Sequence, residues 1–292
     1  MFCKKFKIGE CNMVNCWFDY KTVIISGASS GIGKGLVKKL ISEHGCTVIG
    51  IARNETKMKA LVSELGDKAR YFSYYLFDVA EKESWRSFAN DLIEKGIQPD
   101  ILINNAGILP KFNKFCHYSL DYIDRAMQVN FYSNVYSMNV MIPILLKSKS
   151  AGIVNISSSA ALCSLAGTSI YSASKAAVKS MTESIREEYR GRIYVGLVCP
   201  GFTKTDIFHN QDRGNETGMN DKMLDMVSTS CERMVNDIVN GIWKKKSNMV
   251  FGIDARMMHD STRFFGVLTS KVSSTVIRKA HLEMFKDVFY SE

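Results

Sequence analysis

Ser158, Tyr171 and Lys175 are a hydroxyl, a phenol and an ammonium that the chain can bring to one point. The run Gly152-Ile153-Val154-Asn155-Ile156 is short, apolar and β-branched, the pattern of a buried strand, and Ser158 stands at its end. From Thr168 onward the residues read as a helix, on which Tyr171 and Lys175, four apart, share a face one turn from each other. Ser158 precedes Tyr171 by 13 residues, so all three groups could converge at one strand end as a catalytic set. An ordinary reading competes with this one. These residue types are common, and a Tyr/Lys pair at this spacing often lies on a solvated helix face.

The elements around them bear on the choice. Val23-Ile24-Ile25 is a continuous apolar strand, followed by Ser26-Gly27-Ala28-Ser29-Ser30-Gly31-Ile32-Gly33 and a helical pattern through about His44. Strand, glycine-rich turn and helix place backbone N–H groups and a helix N-terminus against phosphate. Gly27 permits the tight turn, and Gly31 and Gly33 lack side chains that would block a pyrophosphate or the helix–strand contact. A second strand over 47–52 ends at Arg53. In a dinucleotide-binding fold this position meets the ribose bearing the 2′ group, and an acidic residue there would accept a bond from the NAD hydroxyl. Arg53 instead offers a planar cation to a 2′-phosphate, which favours NADP and leaves NAD as the alternative. Otherwise Arg53 is a solvated residue opening a helix over 54–65.

Further strands are expected over 71–77 (ending at Asp78-Val79), 100–103 (running into Asn104-Asn105-Ala106-Gly107), 153–156, 192–199 (ending in Pro200-Gly201) and 248–252 at a sheet edge. Helices are expected over 81–95, over 120–146 with a break near Pro143, and over 231–246. Asn130 is polar within the long apolar-rich helix, where such a residue usually satisfies a neighbouring carbonyl or faces water. Strand and helix alternate six times, and the strands are wholly apolar. That pattern predicts an α/β fold with a parallel sheet covered by helices on both faces. Ligands of such sheets bind outside the carboxyl ends of the strands. The glycine turn, Arg53, Asp78, Asn104, Ser158 and Pro200 all fall there, which favours the catalytic reading.

The chain has 292 residues, 46% hydrophobic and 23% charged, room for one large domain or two small ones around a substantial core. No apolar run approaches the roughly 20 residues that span a bilayer. The N-terminus has lysines but no continuous apolar stretch of the secretory kind. Met13 reads as a start for a more compact chain, with residues 1–12 a loose extension. Eight cysteines without C-x-x-C spacing read as reduced, mostly buried thiols, with no disulfide framework and no metal, in a cytoplasmic setting. The net charge of +9 comes with no basic run longer than three and no nucleic-acid motif, so nucleic acid is not an expected partner. It suits an anionic phosphate cofactor or an acidic, lipid-like substrate.

Taken in order, SGASSGIG at 26–33, NNAG at 104–107, Asn130, Ser158, Tyr171-x-x-x-Lys175 and PGFTKT at 200–205 agree jointly in spacing. Over about 20–206 the chain resembles the short-chain dehydrogenase/reductase family, in particular its NADP-preferring, hydroxysteroid dehydrogenase-like members. Ser26 stands where the family usually has threonine; serine keeps the hydroxyl, and no loss of function is expected. The resemblance implies a single Rossmann-type doubly wound parallel sheet with helices on both faces. It makes Tyr171 the proton donor in reduction and the base in oxidation. A phenol alone titrates near about 10, and the Lys175 cation favours the phenolate. Lys175 would also hold the nicotinamide ribose, Ser158 would donate to the substrate oxygen, and Asn130 would hold a water linking Lys175 to solvent. The same resemblance assigns the phosphate turn to Gly27, Ser29, Gly31, Ile32 and Gly33, and the 2′-phosphate to Arg53. Ser30 stands where some relatives carry a second basic residue for NADP. Asp78-Val79 would border the adenine, Asn104 with Ala106-Gly107 would line the adenosine side, and Pro200, Gly201, Thr203 and Thr205 would lie near the nicotinamide amide and the phosphates.

The expected organisation is an N-terminal extension over 1–20, a catalytic domain over 21–253 with a substrate lid at about 206–230, and a C-terminal extension over 254–292. Met219, Met223, Leu224 and Met226 could form a pliable apolar lid wall or plain core contacts. In the extension Met257, Phe264, Phe265, Leu268, Val272, Val276, Leu282, Phe285 and Phe289 recur at roughly helical spacing among basic residues. Such a helix covers the substrate mouth, packs on a sister subunit, or lies on a membrane surface. A homodimer or homotetramer is expected, with Ala173, Ala176 and Ala177 able to pack across an interface. The function expected is NADP-dependent hydride transfer to or from a secondary alcohol or ketone, on a bulky apolar substrate such as a hydroxysteroid, bile acids included. A 3-oxoacyl thioester reductase is the enzymatic alternative, and a non-catalytic NADP-binding sensor or scaffold is the alternative of another class.

Overall fold

The computed structural model describes residues 16–205, 228–282 and 285–290. The expectations for residues 1–12 and for the four lid positions Met219, Met223, Leu224 and Met226 lie outside them. The main sheet holds β1 (Thr22–Ser26), β2 (Thr47–Ala52), β3 (Phe72–Leu76), β4 (Ile101–Asn104), β5 (Gly152–Ile156), β6 (Tyr194–Pro200) and, after a small ladder of β7 (Thr203–Lys204) with β8 (Thr229–Ser230), the edge strand β9 (Asn248–Phe251). Its order is β3-β2-β1-β4-β5-β6-β9 and every pairing is parallel. The direction of winding reverses between β1 and β4, and a crevice opens at their carboxyl ends at such a reversal.

The inner strands are buried throughout because their β-branched side chains meet helices on both faces. On one face α1 (Gly31–His44), α2 (Glu55–Leu65) and a later helix, Cys231–Trp243, close a layer built on Val23, Ile25, Leu36, Met58 and Ile238. On the other, α3 (Lys82–Glu94), α4 (Leu120–Met127), α5 (Ser133–Leu145) and α6 (Ser169–Glu188) cover Ile24, Ile51, Trp85, Leu102 and Ile153. Residues 16–20 pack beneath the amino ends of the strands, with Trp17 against Gly152 of β5 and Tyr194 of β6, instead of extending away. Phe18 is buried, Trp17 Nε1 donates to the Ile242 carbonyl at 2.9 Å, and Asp19 accepts from the Cys16 N–H and pairs with His44 Nδ1 at 2.8 Å.

The long helix does not break near Pro143. Pro143 sits within α5 on its exposed side, where the carbonyl it leaves unbonded can meet water. The irregularity lies earlier, in a single π-helical turn, Gln128–Tyr132, that joins α4 to α5 around the buried Asn130. The helix before β9 is α7 (Cys231–Trp243), and after β9 the chain continues as α8 (Ile253–Phe265), α9 (Leu268–Lys279) and α10 (Lys286–Phe289). The last three form a third apolar cluster, in which Leu282 and Phe285 pack with Leu109, Phe112, Cys163 and Leu165.

Candidate active site

The glycine turn is a cradle made of backbone. Gly27 and Gly31 have φ of 68° and 50°, the left-handed region that favours glycine. A Cβ on Gly33 would lie 2.1 Å from the Gly27 carbonyl oxygen, so only glycine lets α1 start this close to the turn. The Ser26 hydroxyl oxygen accepts from the N–H groups of Asn105 (3.0 Å) and Ala106 (3.1 Å), tying the end of β1 to the loop after β4. That bond uses the hydroxyl alone, which is why serine serves at this position.

Asn104 and Asn105 divide the work otherwise than expected. Successive residues of a strand point to opposite faces. Asn104 turns into the interior, where its amide donates to Asn155 Oδ1 (2.9 Å) and accepts from the Ser137 hydroxyl (2.8 Å). Asn105 lines the cleft and donates to the carbonyls of Ser26 and Gly27 at 3.0 and 3.3 Å. The second asparagine of the motif was in plain view in the sequence; what was not is which of the two ends the strand.

Ser158, Tyr171 and Lys175 meet in one cleft, which Gly27, Ser30, Gly31, Ile32, Ala106, Gly107, Pro200, Gly201, Thr203 and Thr205 also line. Lys175 is buried, donates to the Ile156 carbonyl at 3.1 Å and lies 5.9 Å from the Tyr171 ring centre. Burial pulls its pKa down to about 8. Ser157, unnoticed in the sequence, anchors this helix to β5 by donating its hydroxyl to the Lys175 carbonyl at 2.8 Å. Ser158 Oγ accepts from the Ala160 N–H at 3.2 Å, which leaves its proton for donation into the cleft. Asn130 is fully buried and commits its side chain elsewhere. It accepts from the Ile108 N–H (2.8 Å) and donates to the Ile108 carbonyl (3.0 Å) and Ser174 Oγ (3.2 Å). The clamp holds Gly107 so near that a Cβ there would stand 3.2 Å from Lys175 Nζ and 3.3 Å from Asn130 Oδ1.

Ser29, Gly33, Arg53, Asp78, Val79, Asn104 and Asn130 are not among the lining residues. Arg53 ends β2, with an exposed guanidinium 3.5 Å from Asp78. Asp78 is held more closely by Arg125, at 2.6 Å, a partner the sequence did not disclose. Burial would raise the Asp78 carboxyl, but the Ala80 N–H, Arg125 and Arg53 together hold it below its usual range. Val79 is buried in the core beneath.

The other side of the cleft is apolar. Leu109, Phe112, Cys163, Leu165, Phe202 and Met258 come from four separate stretches of chain. Asp254, at the start of α8, accepts from the Phe202 N–H at 2.7 Å, and its other oxygen abuts Gly201, where a Cβ would stand 2.1 Å away. Burial raises its carboxyl above the usual range.

A parallel sheet with a phosphate-type glycine turn, and a buried Ser/Tyr/Lys set beside it, defines a dinucleotide-dependent oxidoreductase. The chain belongs to the short chain dehydrogenase family, whose model matches residues 21–216, and acts on CH–OH/C=O groups. It is 33% identical over 187 residues to an NADPH-dependent pterin aldehyde reductase of Arabidopsis thaliana, covering 64% of this chain and 76% of that protein. It is 29% identical over 201 residues to 3beta-hydroxysteroid dehydrogenase 2 of Eggerthella lenta, covering 68% and 77%. A short-chain dehydrogenase from Streptomyces avermitilis is similar in structure, with a TM-score of 0.72 and 25% identity over 88% of this chain and 98% of that one.

Proposed function

We propose that the chain transfers hydride between NADP(H) and a secondary alcohol or ketone carried on a bulky apolar molecule of the hydroxysteroid kind. One observation carries this reading. The cleft pairs a polar end, Ser158, Tyr171 and Lys175, with a wall of hydrocarbon, thiol and thioether side chains, Leu109, Phe112, Cys163, Leu165, Phe202 and Met258. Such a site holds a molecule whose single reacting oxygen projects from a large hydrocarbon body. The NADPH-dependent relative and the hydroxysteroid dehydrogenase relative support it.

The residues fit the cofactor. The cradle has no room for a Cβ at Gly27 or Gly33 and little at Gly31, and α1 begins there, so its first backbone N–H groups are the ones a pyrophosphate would meet. Arg53, exposed at the end of β2 while Arg125 takes the closer place on Asp78, would hold the 2′-phosphate; NAD(H) is the weaker alternative. Thr205 would offer its hydroxyl to the phosphates, and Thr203, whose hydroxyl donates to the Gly201 carbonyl at 3.0 Å, would turn from it to do the same. Bound NADPH supplies the hydride.

Everything else falls to this chain's side chains. Tyr171 gives its phenolic proton to the forming alkoxide, and takes it back in oxidation. Ser158 donates to the same oxygen as charge develops there. Lys175, as ammonium, stabilises the phenolate left behind, and Asn130 fixes the spacing through which a water links Lys175 to solvent. The outward Ala173 and Ala176 of α6 fit a homo-oligomer of two or four copies. A cytoplasmic site of action agrees with the reduced thiols.

A substrate panel tests the reading. Purified protein should oxidise NADPH faster than NADH, and fastest with ketosteroids. Highest turnover on 3-oxoacyl thioesters would move the substrate class. Tight NADPH binding without turnover on any ketone would make the protein a cofactor sensor.

A further inference from the structure

We propose that the outer face of the C-terminal helical hairpin docks the protein on an anionic membrane surface. Helices α8 (Ile253–Phe265) and α9 (Leu268–Lys279) pack on each other and are joined at Gly266, whose φ is 54°. Their inner side is already occupied. Ala255 and Thr269 are buried, Met258 lines the catalytic cleft, and Ser274 Oγ accepts from the Ala166 N–H at 3.3 Å.

Their outer side carries apolar residues that stand about half or more open to solvent. Phe264 is 78% and Val267 90% exposed, Phe265 and Leu268 beside them are also exposed, and so are Met257, Val272 and Val276 along the two helices. A lone exposed leucine is normal, but a continuous group of this size marks an interaction surface. The four most prominent side chains sit at the apex of a hairpin. An apex reaches into the boundary between headgroups and acyl chains more readily than it forms the self-complementary patch of a two-fold dimer.

Charge selects the lipid. From residue 261 to residue 282 the sequence contains Arg263, Lys271, Arg278 and Lys279 and no Asp or Glu, and all four cations are exposed. Asp260, the last acid before this stretch, is 2.9 Å from the His259 ring. Cations flanking an apolar apex match the negative potential of a phosphatidylserine-bearing leaflet. No described helix is long and apolar enough to cross a bilayer, so the contact is peripheral.

Vesicle sedimentation with the full chain is the test, using phosphatidylcholine alone and phosphatidylcholine with one third phosphatidylserine. The protein should sediment with the anionic vesicles about tenfold more readily than with the neutral ones, and high salt should release it. The double variant Phe264→Ser/Val267→Ser should lose that binding about tenfold, while its NADPH oxidation with a soluble ketone is unchanged. The proposal is overturned if the intact chain ignores anionic vesicles, or if the variant binds them as well as the native chain does. It is equally overturned if the variant turns a dimer into a monomer in light scattering and neither form binds lipid; the face is then a contact between copies. Ketone turnover is read separately, so a failed substrate assignment leaves the lipid result interpretable.

Discussion

Lys175 is an ammonium buried without a carboxylate partner among the described residues, and that position sets stability against function. Its pKa falls from 10.5 to about 8 because burial disfavours the charged form. Between those values the unfolded chain binds more protons than the folded one, so stability rises with pH across that window. Below about pH 8 the folded protein carries the full penalty, about 3 kcal/mol. Lys175→Met removes the charge and leaves the Ile156 carbonyl unbonded, a loss of about 1–2 kcal/mol. The net expectation at pH 7 is a gain of about 1–2 kcal/mol, seen as a thermal midpoint several degrees higher without cofactor, at about 2–4 °C per kcal/mol. The gain should vanish near pH 10, and turnover should be abolished. A lower midpoint at pH 7 would show that the fold itself needs the ammonium. Tyr171→Phe separates proton transfer from binding. Turnover should fall about 10²–10⁴-fold, with NADPH affinity by fluorescence unchanged, and retained turnover would remove Tyr171 from the chemistry.

At the scale of elements, the π turn at Gln128–Tyr132 earns its place through a neighbour distant in sequence. The extra residue swings Asn130 inward to meet both backbone groups of Ile108, 22 residues earlier. Asn130→Ala orphans that buried N–H and carbonyl, an expected loss of about 2–4 kcal/mol in denaturant unfolding. The Ile108 amide should also lose its protection against hydrogen exchange; unchanged protection would mean that the clamp is not what orders the loop. No local pattern announces such a turn, because its reason lies across the fold. Pro143 misled for the complementary reason: a proline on the exposed side of a helix can leave its carbonyl partner to water. The strands were legible because a run such as Val23-Ile24-Ile25, apolar without alternation, has one stable environment, between two helical layers. The polar half of the site was legible because strand ends define where such residues gather. Asn104 and Asn105 exchanged places because the faces of a strand alternate, so a boundary uncertain by one residue reverses which side chain looks into the cleft. The apolar wall stayed hidden: Leu109, Leu165 and Met258 are adjacent only after folding.

Across the whole molecule, the segment beyond the family's matched residues is built into the active site. Phe285 is buried and tilts against Phe112 with ring centres 4.8 Å apart. Asp287 pairs with Lys111 at 2.7 Å, and Val288 fills the space at Gly167 that a Cβ would occupy. These contacts hold the loops over 108–112 and 163–168, which carry four of the six residues of the apolar wall, and the second of them leads into the Tyr171 helix. The polar end of the site is supported separately, by Ser157 just after β5 and by Asn130. The two ends should therefore respond differently to damage at the tail. Phe285→Ala deletes a ring that is 1% exposed and is expected to weaken tail docking by about 3 kcal/mol. On the proposed reading, in which the wall would bind the substrate body and Tyr171 and Ser158 would act on its oxygen, KM for a bulky ketone should rise about tenfold, with kcat reduced much less. A small aliphatic ketone, which does not reach the wall, should show little change in either constant, and NADPH affinity should hold. Limited proteolysis should cut the variant after residue 279 faster than the native chain. An equal loss on large and small ketones would place the tail's influence at Tyr171 rather than at the wall.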